Sequence, residues 1–129
     1  MTIFHHIDVP VDNMALSREF YGLLLKPLGV TELVHRSNPQ GHEVAGYGMA
    51  PEPAFWIRSG RPAVRRVHVA FLAKSREAVV AFHRAGLAAG GTSNGEPGLR
   101  AHYAPDYYAA YVLDPDGNNI EAVCRAPSP

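Results

Sequence analysis

The chain has 129 residues, 47% of them hydrophobic and 19% charged, and its 12 basic and 12 acidic side chains leave no formal net charge. That length fits one domain able to bury a core unaided, and the absence of a basic patch speaks against nucleic acid as a partner. The single cysteine, Cys124, leaves no internal disulfide and no cysteine-based zinc site. The opening MTIFHHIDV lacks the charged-then-apolar order of a signal peptide, and no apolar run approaches the roughly 18 residues that span a bilayer. A cytoplasmic protein with no membrane partner is expected.

Ile7, Val9 and Val11 alternate with His6, Asp8 and Pro10, which predicts a strand with one face on a core and one polar face. Asp12 or Asn13 then caps a helix whose apolar stripe is Leu16, Phe20, Leu23 and Leu24, and Pro27 and Gly29 stop it. Three strands are predicted next, around Thr31 to His35, Glu43 to Met49 and Ala54 to Arg58. The turn residues Asn38-Pro39-Gln40-Gly41 and Pro51-Glu52-Pro53 separate them. Gly60, Arg61 and Pro62 read as a linker.

The second half restarts with Val67, Val69 and Phe71 on one face of a strand and His68 and Ala70 on the other. A helix is predicted from about Ser75 to Ala89, striped by Ala78, Val79, Phe82 and Leu87 and ended by Gly90-Gly91. The next stretch reads as a glycine-rich loop leading to a strand over Tyr107 to Leu113. Asp114-Pro115-Asp116-Gly117 is a turn with proline second and glycine fourth, and a last strand runs from Asn119 to Cys124.

The halves echo one another. Phe20 and Gly29 follow His6 at the same offsets at which Phe82 and Gly91 follow His68, and each histidine opens a strand–helix segment. Such a repeat predicts two copies of one βαβββ unit, module one at about residues 1–60 and module two at about 61–129. The expected fold is α+β, with two modules forming a half-barrel sheet around a central cleft.

Residue alternation sends His6 and His68 away from the helix-facing side of their strands. In the last strand Ile120, Ala122 and Cys124 face the core, so Glu121 points the other way. All three side chains then project to the concave face. Two imidazoles and a carboxylate with open positions match the facial arrangement used for non-haem iron, and suit manganese or nickel too. His5 is the rival to His6, but the repeat register picks His6. Asp8 shares the ligand face, as a supporting acceptor or substrate contact. Arg100, His102 and Tyr103 fall in a loop before the penultimate strand, where they suit an anionic or phenolic substrate. His102 is the best acid–base candidate there by its intrinsic pKa. Tyr107, Tyr108 and Tyr111 read as strand residues, His35, His42 and His83 as surface, and Cys124 as a buried apolar residue.

With these residues in place the chain resembles the vicinal oxygen chelate superfamily, which includes glyoxalase I, extradiol dioxygenases, fosfomycin-resistance transferases and bleomycin-binding proteins. The matching segments are HIDVPVDNMALSREFYGLLLKPLG, HVAFLAKSREAVVAFHRAG and YYAAYVLDPDGNNIEAV. DPDGNNIE is the most specific, since its acidic residue is commonly the last metal ligand. The resemblance implies paired βαβββ modules, a divalent metal (Fe, Mn, Ni or Zn) on His6, His68 and Glu121, a small-molecule substrate and a homodimer. Glyoxalase I usually has a fourth ligand where FWI places Trp56, and an indole N–H cannot coordinate, so that activity is disfavoured and Trp56 becomes a pocket wall.

The reading that results is a metal-dependent lyase, dioxygenase or transferase whose substrate chelates the ion through neighbouring oxygens. Glu121 and His102 would act in catalysis, and Asp8, Trp56, Arg100 and Tyr103 would bind substrate. The competing class is a non-catalytic, bleomycin-resistance-like protein holding a small ligand against Trp56 and the tyrosines.

Overall fold

The computed structural model describes residues 3–61 and 66–126. Module one contains β1 (Ile7–Pro10), α1 (Met14–Leu25), a 3-10 turn (Lys26–Leu28), β2 (Thr31–Ser37), β3 (Glu43–Met49) and β4 (Glu52–Arg58). Module two contains β5 (His68–Leu72), α2 (Arg76–Ala88), β6 (Thr92–Leu99), β7 (Tyr108–Leu113) and β8 (Asn119–Cys124). Both are β-α-β-β-β, as the repeat predicts. Pro62, part of the expected linker, lies outside the described residues. No described helix is long and apolar enough to cross a membrane.

Each module makes its own four-stranded sheet, in the orders β1-β4-β3-β2 and β5-β8-β7-β6. The opening strand of each runs parallel to the closing strand and forms one edge. Such a pair needs a crossover, which the helix supplies. Asn13 and Ser75 start the helices from extended backbone, their side-chain oxygens accepting the Leu16 and Ala78 amides at 3.0 and 3.1 Å. The Asp114–Gly117 turn forms as predicted, with the Gly117 amide donating to the Asp114 carbonyl at 2.9 Å and Gly117 at φ 84°.

One core serves both modules. Phe20, Tyr21 and Leu24 of α1, Ile57 of β4, Val79 and Phe82 of α2, Val112 of β7 and Ile120 of β8 are all buried in it. Burying side chains of this size is worth roughly 1.5–3 kcal/mol each. Gly86 of α2 permits the close approach of the helices, since a Cβ there would stand 2.8 Å from Leu24 and 3.0 Å from Val112.

Four expectations are corrected. In α1 the buried stripe is Met14, Ser17, Phe20, Tyr21, Leu24 and Leu25, whereas Leu16 and Leu23 are each 47% exposed. The helix turns its face to α2 as well as to its own sheet, which moves the stripe toward Tyr21. In α2 Leu87 is exposed, and His83 is buried, not on the surface. The His83 ring hydrogen-bonds Ser93 Oγ at 2.8 Å, joining α2 to β6. Finally, the glycine-rich stretch before Tyr107 is a strand, β6, whose pairing with β7 is irregular around Gly95. Backbone pairing to a formed neighbour overrides its poor strand propensity.

Candidate metal and substrate site

The sequence-predicted site residues collect on two faces, one in each module. On module one, β1 and β4 run side by side with Asp8 opposite Trp56. His6, just before β1, lines a cleft of about 800 Å³ together with His5, Asp8, Arg36, Trp56 and Arg58, and every residue lining it lies in module one or, at Arg61, at its border with module two. A Cβ at Gly46 would stand 2.8 Å from the indole of Trp56, so that ring lies across the glycine. The Arg36 guanidinium stands 5.7 Å from the ring centre. Asp8 is held by Arg58, whose Nη2 donates to Oδ2 at 2.6 Å and whose Nε donates to both carboxylate oxygens at 2.9 Å. The His5 and His6 rings share a hydrogen bond between their Nδ1 atoms at 2.8 Å.

On module two, Glu121 of β8 is only 2% exposed. A carboxylate so buried needs partners. Its Oε1 lies 2.7 Å from His68 Nε2, and its Oε2 accepts the Tyr107 hydroxyl at 2.5 Å. Burial and then the Glu121 carboxylate push the Tyr107 phenol far above its ordinary range, so it remains a donor. Tyr111 lies opposite Glu121 in the hairpin, its ring 6.2 Å from that of His68. Burial and Glu121 raise its pKa too.

The turn between β6 and β7 brings the remaining residues to the same face. The Arg100 amide donates to the Tyr107 carbonyl at 2.7 Å, and the Tyr103 amide to the Arg100 carbonyl at 2.9 Å. The Arg100 guanidinium sits 5.4 Å from the Tyr111 ring centre. The Tyr103 ring stands 5.1 Å from that of Tyr107 and 4.2 Å from His102. A chain of rings, Tyr103 and then Tyr107, connects His102 to Glu121.

His68 and Glu121 are thus together, with Arg100 and Tyr103 nearby, while His6, Asp8 and Trp56 form a separate group. Among the described residues no three His, Cys, Asp or Glu side chains converge as a metal site would require. The donor chemistry of the pair nonetheless fits a divalent ion. Two donors at right angles, each about 2.1 Å from one ion, stand about 3 Å apart. The His68–Glu121 separation is within a few tenths of an ångström of that. Tyr107 supplies the outer hydrogen bond that ligating carboxylates characteristically receive.

Sequence reasoning passed over Tyr107 and Tyr111 as site residues. A signal for them existed, because the Asp114–Gly117 turn sets the hairpin register, which puts Tyr111 opposite Glu121 and Tyr107 on the same face. Arg36 and Gly46 gave no comparable signal, since their meeting at Trp56 depends on the pairing of β2, β3 and β4.

Residues 3–122 match the family model described as Glyoxalase/Bleomycin resistance protein/Dioxygenase superfamily. A glyoxalase/bleomycin resistance protein from Albidiferax ferrireducens T118 is 35% identical, with a TM-score of 0.78 over 97% of this chain and 100% of that one. The fosfomycin resistance protein FosX from Listeria monocytogenes, solved as a mutant with Mn(II) and 1S,2S-dihydroxypropylphosphonic acid, shares the fold at 17% identity. Its TM-score is 0.68 over 95% of this chain and 92% of that one. A glyoxalase I mutant from Zea mays is 22% identical, with a TM-score of 0.70, and 93% of this chain spans 46% of it. Comparison with curated proteins finds no match.

Proposed function

Because the chain belongs to the glyoxalase/bleomycin resistance protein/dioxygenase superfamily, we propose that it is a metal-dependent enzyme acting on a small molecule that chelates the ion through neighbouring oxygens. The observation that carries this reading is the buried Glu121 carboxylate set 2.7 Å from Nε2 of the half-exposed His68 ring, its other oxygen held by Tyr107. An acid is expensive to bury, so its position calls for a role. The Mn(II) in FosX supports the type of ion; Fe, Ni and Zn suit the same donors.

His6 is the third ligand, and a second copy of the chain supplies it. Within one chain His6 lies on the other module, and the opening strands β1 and β5 are both sheet edges. Exposed apolar side chains mark both regions: Ile3 ahead of β1, Ile7 at its start and Leu72 at the end of β5. Edges of this kind gain from being covered. A two-fold dimer that sets each module-one face against its partner's module-two face would complete the half-barrel.

The ion, once bound, would polarise a substrate oxygen and gather two of them. The chain's own residues do the rest. Tyr107 keeps Glu121 in place, Trp56 on Gly46 walls the cleft, Arg58 fixes Asp8, and His102 is the candidate to carry a proton. The roomy cleft around Trp56 also supports a second reading, a small-molecule binding protein without catalysis. Titrating Mn(II) into wild type, His68→Ala and Glu121→Gln, read by electron paramagnetic resonance, separates the two. One ion per chain, lost in both variants, upholds the metal reading, and a wild type that takes up none overturns it.

A further inference from the structure

We infer that Arg100 forms a carboxylate-binding subsite beside the His68–Glu121 pair, so that the substrate is a small carboxylate with a flat, unsaturated body. This deepens the proposed function and rests on it only for where the rest of the substrate sits.

The guanidinium is built into place. It lies in a groove that two glycines leave open: a Cβ at Gly95 would stand 3.2 Å from Nη2, and one at Gly98 3.1 Å from Nη1. The Gly95 Cβ would also come within 2.6 Å of the Tyr111 ring, so this groove admits arginine and ring together. Nη2 donates to the Glu96 carbonyl at 2.7 Å, which fixes the planar group without neutralising it. Among the described residues no carboxylate pairs with it. Arg18, Arg58 and Arg125, by contrast, each have an acidic partner.

The surroundings select the ligand. An arginine placed over a ring, with one N–H on a carbonyl, keeps its remaining N–H groups for a planar two-oxygen acceptor, and a carboxylate matches that fork. Tyr103, 62% exposed, stands with Tyr107 and Tyr111 as an aromatic wall against which a flat body can stack. Tyr111 neighbours both ends, 5.4 Å from the Arg100 guanidinium and 6.2 Å from the His68 ring. A molecule lying along Tyr111 therefore meets Arg100 at one end and the His68–Glu121 pair at the other.

The test compares benzoate with benzamide, equal in shape and different in charge, by ligand-observed NMR on the full chain in EDTA and again with Mn(II). Benzoate should bind wild type at least about tenfold more tightly than benzamide, and Arg100→Gln should remove that preference while leaving benzamide binding unchanged. Arg100→Lys, which keeps the charge and loses the fork, should retain only part of it. Exposed Arg84→Gln on α2 is the control and should bind like wild type. Equal binding of the two probes by wild type, binding of neither, or a preference that survives Arg100→Gln would overturn the inference. The EDTA arm scores Arg100 even if Mn(II) never binds, so failure of the metal reading is seen separately.

Discussion

The Tyr21 hydroxyl donates to Asp114 Oδ2 at 2.5 Å across the buried boundary between the modules, tying α1 to the turn before β8. Asp114 is a hub. Its Oδ1 accepts the Asp116 and Asn118 amides at 2.9 and 2.7 Å, and its Oδ2 also accepts Asn118 Nδ2 at 2.8 Å. Burial first, and the facing carboxylate second, push Tyr21 well above a phenol's usual pKa, so it stays a donor. The DPDGN turn thus both reverses the chain and holds module one, and it sets where β8 starts and so where Glu121 points.

Tyr21→Phe should cost about 1.5–3 kcal/mol, the worth of a hydrogen bond to a charged acceptor. Asp114→Ala should cost more, since it leaves several buried donors unpaired. Urea unfolding gives both numbers; a Tyr21→Phe value near zero would mean that the Tyr21–Asp114 bond does not hold the modules together.

Trp56 is the only tryptophan of the chain, so its seat can be watched directly. Gly46→Ala would put a methyl group 2.8 Å from the indole and force the ring to shift. The emission maximum should move, with a stability cost of about 1–3 kcal/mol. An unchanged spectrum would mean that the ring does not rest on Gly46.

Tyr107→Phe should leave the fold intact and weaken Mn(II) binding about 10–100-fold, the usual effect of losing an outer-shell partner. Isotherms for wild type and variant decide it. Equal affinities would show that Glu121 needs no help to stay in place.

Acid should weaken the protein partly through Glu32. Hydrogen bonding from Arg18 Nε, at 2.8 Å, is the chief cause that lowers this carboxyl below its ordinary 4.5. A depressed folded value contributes stability that is fully present above the unfolded pKa and lost as pH falls through the folded one. The loss therefore begins below about pH 4.5. Both partners are about a third exposed, so the pair is worth at most about 1 kcal/mol. Asp116 works the other way: burial raises its pKa, and its contribution is present at low pH and lost as pH rises through the folded value. Glu32→Gln should flatten the acid limb of a stability–pH curve measured by urea unfolding, and an unchanged limb would show that Glu32 contributes nothing.

Local pattern made much of this visible. The alternation in β1, a cap at Asp12 or Asn13, a helix starting near Ser75 and the Asp114–Gly117 turn are short-range signals, and the matching offsets after His6 and His68 exposed the duplicated module. Long-range packing hid the rest. Leu16 fits a helical stripe as well as Tyr21 does, and only the meeting of α1 with α2 decides which is buried. His83 reads as surface until Ser93 of β6 is placed beside it. The split of the candidate site between faces was not legible either, since the pattern of β1 and β5 shows which side His6 and His68 face but not whether those sides meet.

A mixture of two broken chains asks whether one metal site is shared between two copies. His6→Ala and Glu121→Gln chains would be unfolded together, refolded in equal amounts and titrated with Mn(II) under electron paramagnetic resonance. Neither variant alone should bind the ion, and random pairing in a two-fold dimer should restore about a quarter of the wild-type sites, each with His6 from one chain and His68 and Glu121 from the other. A mixture that binds no more than its components would contradict a site shared between two copies.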